Sequence, residues 1–298
     1  MTSKAHPYRS VLYMPGSNSR ALAKAAALPA DALILDLEDA VAVSEKAAAR
    51  DMVCAAVRTG GFGARRVMVR TNGLDTDWGR DDFKAACAAG PDAILVPKID
   101  SASDVRSAAD LLADFSAPQQ TRLWVMMETP RAMLNAAQIA AASPRLEGMV
   151  LGTNDLMKDI GAIARPDRLP LLTGLGLCIL AARAEGLVCV DGVYNAFRDT
   201  AGLRAECEQG RAIGFDGKTL IHPAQLAVAN EVFAPSPAEL AEARKFVEAF
   251  EQAAARGQGV AVVDGRIVEN LHVEAARRTI EKAEMIAALE TAGAQAAG

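Results

Sequence analysis

Eight short runs rich in Val, Ile and Leu recur along the chain, separated by Ala-rich stretches of helical character. They are Val11 to Met14, Ala32 to Leu37, Arg66 to Arg70, Ala93 to Pro97, Leu123 to Met127, Gly148 to Leu151, Leu187 to Val190 and Lys218 to Ile221. Runs that are apolar throughout fit strands covered on both faces, and strands alternating with helices make a parallel sheet. Eight repeats predict an α/β fold, a (β/α)8 TIM barrel, with an open doubly wound sheet as the competing architecture. The polar residues favour the barrel. Pro15-Gly16-Ser17-Asn18, Asp36-Leu37-Glu38-Asp39, Arg70-Thr71-Asn72, Lys98, Glu128-Thr129, Thr153-Asn154-Asp155, Asp191 and His222-Pro223 each follow a run. A closed barrel brings all eight strand ends to one mouth, within reach of one ligand.

After Asn230 the pattern changes. Ala234-Pro235-Ser236-Pro237 breaks the chain, and Ala238 to Arg256 reads as one amphipathic helix. Val260 to Val263, an Asp264-Gly265 turn and Arg266 to Val268 then predict a hairpin. A last helix is expected from about Glu269 to Leu289, with a frayed tail over Thr291 to Gly298. The expected division is a barrel over residues 1–233 and a helix-hairpin-helix arm over residues 234–298. The arm has too little apolar surface to stand alone, so it is expected to pack on the barrel or on a neighbouring subunit.

With 32 Lys and Arg against 37 Asp and Glu, the net charge of −5 argues against nucleic acid or an anionic membrane as partner. The longest uncharged run, Leu169 to Ala182, is too short to span a bilayer, and the N-terminus Met1-Thr-Ser-Lys-Ala-His-Pro has no apolar leader. Five scattered cysteines without a CxxC pair signal neither disulfides nor zinc. A reducing cytoplasm is the expected location.

Glu128 and Asp155 follow consecutive strands, so their carboxylates should face each other across adjacent loops. Such a pair suits a hard cation such as Mg2+, which takes oxygen ligands and keeps several waters. The competing reading is that each caps the helix after its strand. Glu38 and Asp39, with Asp36, offer a network for metal-bound water or a general base, against an N-cap role for Asp39. Arg70 ends a strand, where it needs a substrate anion or an internal carboxylate such as Glu38 or Asp39. Lys98 ends strand four with no evident internal partner. Arg20 and Lys24 share one helix face after the small-residue loop Pro15 to Asn18, an arrangement open to phosphate binding or to plain solvation. Gly214-Phe-Asp-Gly217-Lys218-Thr219 has too few residues between its glycines for a phosphate loop, and Gly174-Leu-Gly176 lacks a third glycine, so neither supports nucleotide binding. His6, His222 and His272 are too scattered for a metal or triad site.

Taken in order, Arg9 to Asn18, Asp36 to Val41, Val69 to Asn72, Val96 to Ile99, Met127 to Pro130, Leu151 to Leu156, Asp191 to Tyr194 and Gly217 to Pro223 resemble the citrate lyase β-subunit-like family of the HpcH/HpaI aldolases, which includes malyl-CoA and citramalyl-CoA lyases. The likeness extends from about residue 9 to 280. It implies a Mg2+-dependent carbon–carbon lyase that cleaves a CoA thioester such as malyl-CoA, citramalyl-CoA or citryl-CoA into acetyl-CoA and a 2-oxo acid. Glu128 and Asp155 would hold the metal, Arg70 the substrate carbonyl or enolate oxygen, and Glu38 and Asp39 the metal's waters. Pro15, Gly16, Ser17, Asn18, Arg20 and Lys24 would lie toward CoA. The resemblance also implies a homo-oligomer, trimer or hexamer, in which the arm crosses to a neighbour and offers an acid/base Asp. Here Glu269 stands at that place, keeping the carboxylate on a longer side chain. Three rival activities are a malyl-CoA thioesterase, in which Glu269 activates water, a malate-synthase-like condensation, and a citrate lyase β subunit acting on a carrier-protein thioester. A ligand-binding barrel without catalysis is the last alternative.

Overall fold

The computed structural model describes residues 6–297. Residues 1–5 and Gly298, and with them most of the segment examined for a leader, lie outside this range. Eight strands close in chain order into a parallel barrel: β1 (Ser10–Pro15), β2 (Ala32–Asp36), β3 (Arg66–Arg70), β4 (Ala93–Val96), β5 (Arg122–Met127), β6 (Leu146–Leu151), β7 (Val188–Asp191) and β8 (Gly217–Leu220). Each lies within two residues of a run read from the sequence. Around them run α1 (Ser19–Ala25), α2 (Lys46–Thr59), α3 (Gly79–Ala89), α4 (Ala102–Asp114), α5 (Pro130–Leu134), α6 (Ala136–Ala140), α7 (Thr153–Asp159), α8 (Leu172–Glu185), α9 (Thr200–Ile213) and α10 (Leu226–Phe233).

Strand side chains alternate between two cores. One set fills the barrel: Val11, Ile34, Met68, Leu95, Trp124, Met126, Val150 and Val190. The other, including Leu33, Leu35, Val69, Ile94, Val125 and Leu151, packs beneath the helices. Each fully buried aliphatic or aromatic side chain contributes roughly 1.5 to 3 kcal/mol, so the two cores together specify the register of every strand.

The seam between first and last strands is fastened by residues distant in sequence. Ser10 of β1 is in register with Lys218 of β8. The Ser10 hydroxyl donates to the Asn230 side chain at 2.7 Å, and Asn230 donates in turn to the Pro29 carbonyl. Beside them, on the face where the strands begin, Arg9 forms a buried bidentate pair with Asp31 and reaches Glu290 at 3.1 Å.

The arm comprises α11 (Pro237–Ala255), β9 (Ala261–Val263), β10 (Arg266–Val268) and α12 (Asn270–Ala297). Ser236 and Glu239 form a capping box with Pro237 in the first turn, which explains why the proline-rich break starts the helix. α12 continues to Ala297 where a frayed tail was expected, because its Ala-rich end has high helix propensity and its Glu290 is tied to Arg9. The arm has a small core of its own around Ala253, Ala261, Val268 and Val273. Val262, Ile267 and Leu271 at its hairpin end remain exposed. The five cysteines are free and buried, and no helix among the described residues is long and apolar enough to cross a membrane.

Candidate active site

At the mouth where the strands end, a cavity of about 280 Å³ is lined by Tyr13, Asp36, Asp39, Arg70, Met126 and Asp155 among others. Arg70 is its most constrained side chain. As the last residue of β3 it points inward, only 5% exposed, with its guanidinium 4.8 Å from the centre of the Tyr13 ring. Nε and Nη2 donate to the two carboxylate oxygens of Asp36 at 2.6 and 2.7 Å. Nη1 lies 2.8 Å from Glu38 and 3.2 Å from Asp39. Asp36, on neighbouring β2, is thus the principal partner of Arg70, closer and better aligned than the Glu38 or Asp39 anticipated from sequence. Its signal was present: Ala32, Ile34 and Asp36 alternate with the apolar residues that face the helices, so Asp36 had to face inward. Asp36 also accepts from the backbone N–H of Glu38 and Ala40, so Asp39 is not the loop's cap.

Glu38 is half-buried. Burial pushes its carboxyl up to about 8, against the pull of Arg70, with repulsion from Asp39, Glu128 and Asp36 adding to the rise. The loop carrying it is braced from behind, where Lys46 donates to the carbonyls of Leu37 and Glu38 at 2.9 and 2.7 Å.

Glu128 and Asp155 converge, and neither is a helix cap. Thr129 caps α5, and Gly152 precedes α7 without a side-chain cap. Glu128 is buried, and burial raises its pKa against the lowering effect of the Lys98 N–H and ammonium. The partner that sequence reasoning missed is Lys98. Its Nζ lies 2.9 Å from Asp155 Oδ1 and 3.5 Å from Glu128 Oε1, and its own N–H donates to Glu128 at 2.7 Å. Strand parity would turn Lys98 toward the helices; a left-handed backbone, φ +56°, redirects it. Such a conformation costs a non-glycine residue about 1 to 3 kcal/mol. Gly152 supplies the room for Glu128: a Cβ there would stand 2.7 Å from Glu128 Oε2.

Two carboxylates already holding a cation are a donor set suited to Mg2+. Among the described residues no three His, Cys, Asp or Glu side chains gather as a ligand set.

Other anticipated residues do not line this cavity. Asp191 does not join the mouth: it ends β7 one residue out of phase with the inward-facing Val190 and points into the helix layer, paired with Arg168 at 2.7 Å and with fully buried Lys218 at 3.2 Å. His222 caps a helical turn and stacks on Phe197. In the Pro15 to Asn18 loop, Gly16 serves close strand approach, since a Cβ would meet the Asp36 carbonyl at 2.5 Å. Asn18 caps α1, and Arg20 and Lys24 are exposed on that seven-residue helix. Glu269 is exposed at the hairpin end of the arm and is not among the cavity's lining residues.

The profile of the HpcH/HpaI aldolase/citrate lyase family matches residues 9–223. The chain belongs to that family. Over 288 residues, 97% of this chain and 99% of the relative, it is 61% identical to a (3S)-malyl-CoA thioesterase of Cereibacter sphaeroides. Over 287 residues, 95% of each, it is 36% identical to citrate lyase subunit beta of Escherichia coli. The crystal structure of CitE from Mycobacterium tuberculosis in complex with magnesium, acetoacetate and coenzyme A superposes with a TM-score of 0.75 at 30% identity, covering 95% of this chain and all of that one. The family and barrel expected from sequence hold. The expected carbon–carbon lyase does not: the relatives sharing about 60% of the sequence nearly end to end are thioesterases, which are hydrolases.

Proposed function

We propose that this protein is a Mg2+-dependent thioesterase that hydrolyses (3S)-malyl-CoA to malate and free CoA. The observation that carries this reading is the 61% identity, with 99% of the relative's length covered, to a (3S)-malyl-CoA thioesterase. The site's chemistry supports it. Glu128 and Asp155 would hold the ion, which polarises a substrate oxygen and offsets negative charge there. Arg70, immobilised by Asp36, keeps one N–H of Nη2 uncommitted to that carboxylate and donates it to a substrate oxygen in the cavity. Asp39, on the cavity wall, and Glu38 behind it order water.

Hydrolysis requires water oxygen to bond to the thioester carbon while the carbon–sulfur bond breaks and a base takes the water's proton. Glu269 is assigned that last role in the mouth of a neighbouring copy. The arm supports this assignment: it is anchored through Glu290 on the face where the strands begin, opposite its own mouth, and presents exposed Val262, Ile267 and Leu271 beside Glu269. In this reading residues 1–233 form the catalytic barrel, residues 234–298 the arm, and the active species is a homo-oligomer. CoA extends along Pro15 to Asn18 toward Arg20 and Lys24.

The test is an assay with Mg2+ and (3S)-malyl-CoA that follows free thiol and 2-oxo acid separately. Thiol release without 2-oxo acid is expected, abolished in Glu128→Ala and strongly reduced in Glu269→Gln. A 2-oxo acid formed in step with acetyl-CoA would overturn the proposal.

A further inference from the structure

Lys98 is an unusual neighbour for a metal site. Its ammonium contacts both carboxylates that the preceding reading gives to the ion, Asp155 at 2.9 Å and Glu128 at 3.5 Å. Its backbone, at φ +56°, is left-handed, so this placement is imposed against the residue's own preference. Its side chain is 43% exposed, which leaves it a path into solvent. Two carboxylates and one ammonium sum to a single negative charge, so the cluster still attracts a cation that the ammonium alone does not neutralise.

We infer that Lys98 is a resident cation that Mg2+ must exchange with. In the metal-free protein its ammonium holds Glu128 and Asp155 together and keeps two carboxylates from repelling across the mouth. A divalent ion takes the same oxygens, and the ammonium withdraws. No bond is made or broken beyond these ionic contacts, and the proton stays on the amine. The consequence is a tuned affinity: apparent binding weakens by the fraction of time that the carboxylate pair is free of Lys98. This inference rests on Glu128 and Asp155 being the metal ligands, and it adds the residue that opposes the ion there.

The experiment measures Mn2+ binding to the whole protein by calorimetry, with Mn2+ as the probe, in wild type, Glu128→Gln, Lys98→Met and Lys158→Gln. Lys158 is on α7 with Asp155 and makes no ion pair within 4 Å among the described residues, so it reports the through-space effect of losing a nearby charge. Lys98→Met is expected to tighten Mn2+ by about tenfold, as follows if the ammonium occupies the pair about nine-tenths of the time, and Lys158→Gln by less than about twofold. Unchanged or weaker binding in Lys98→Met, or equal tightening in both, overturns the exchange. A wild type that binds no Mn2+, or whose binding Glu128→Gln leaves untouched, overturns the metal assignment and the exchange with it. Amine labelling of wild type, read by peptide mass, gives a second measure without substitution. Mg2+ is expected to speed labelling at Lys98 and not at Lys158, and no acceleration at Lys98 counts against the exchange.

Discussion

Arg70 and Arg168 are both buried guanidiniums clasping an aspartate at the end of a barrel strand, Asp36 of β2 and Asp191 of β7. Their surroundings differ. Asp36 shares the inward parity of Ile34, so Arg70 meets the cavity and the acids around it. Asp191 has the outward parity, so it joins Arg168, Lys218 and Glu206 in a largely buried cluster outside the barrel. One residue of phase along a strand separates a group that can meet substrate from one that braces the scaffold. The residue types are nearly the same, and only their position on the pleat assigns the work.

The largest effect should come from separating these roles by substitution. Arg70→Lys loses the planar double contact with Asp36, and kcat/KM for malyl-CoA thiol release should fall about 100- to 1000-fold. Asp191→Ala leaves buried Arg168 and Lys218 with Glu206 as the one carboxylate they still share. Urea unfolding should show a loss of about 3 to 5 kcal/mol, while kcat/KM of the folded enzyme stays near wild type. If Asp191→Ala instead abolished turnover in a stable protein, the two arginines would not divide as described.

A smaller effect isolates the room that the mouth keeps for Glu128. Gly152→Ala sets a methyl against the Glu128 side chain, which must shift, so Mn2+ affinity should drop about 10- to 100-fold and the melting temperature should fall with it.

The smallest effect concerns Glu38. Its carboxyl is raised in the folded protein to about 8, so the stability it contributes is greatest below its ordinary carboxylate range and is lost as pH rises through about 8. Glu38→Gln is uncharged throughout. Melting curves from pH 5 to 9 should show the wild type losing ground to the variant as pH increases, and a constant gap would contradict this.

Much of the barrel was readable from sequence because its runs are continuous and each is followed by polar residues. Arg70 stood out because a charge ending a buried strand must have a partner, and Glu128 and Asp155 because they follow consecutive strands. Asp191 satisfied that rule equally well, and only strand parity, settled by the neighbouring Val190, shows that it faces away. Lys98 was placed at the mouth, but its pairing with Glu128 and Asp155 was not foreseen, because its direction depends on a left-handed backbone that no spacing predicts. The choice between lyase and hydrolase was not legible at all, since one metal pair and one arginine stabilise oxygen charge in either reaction. What distinguishes the two is which group receives a proton, and Glu269, the proposed base, lies outside the cavity of its own barrel.

The first strand of this barrel is bonded to the last, with Ser10 in register with Lys218, 208 positions further along the chain. During synthesis, at roughly 5 to 20 residues per second, β1 must therefore wait about 10 to 40 seconds before its second neighbour exists. Through that interval the nascent chain carries an open, apolar edge at each end of a growing sheet, which makes it a natural client for chaperones. Circular permutants that move the chain ends to another seam would shift this vulnerable window without altering the finished barrel.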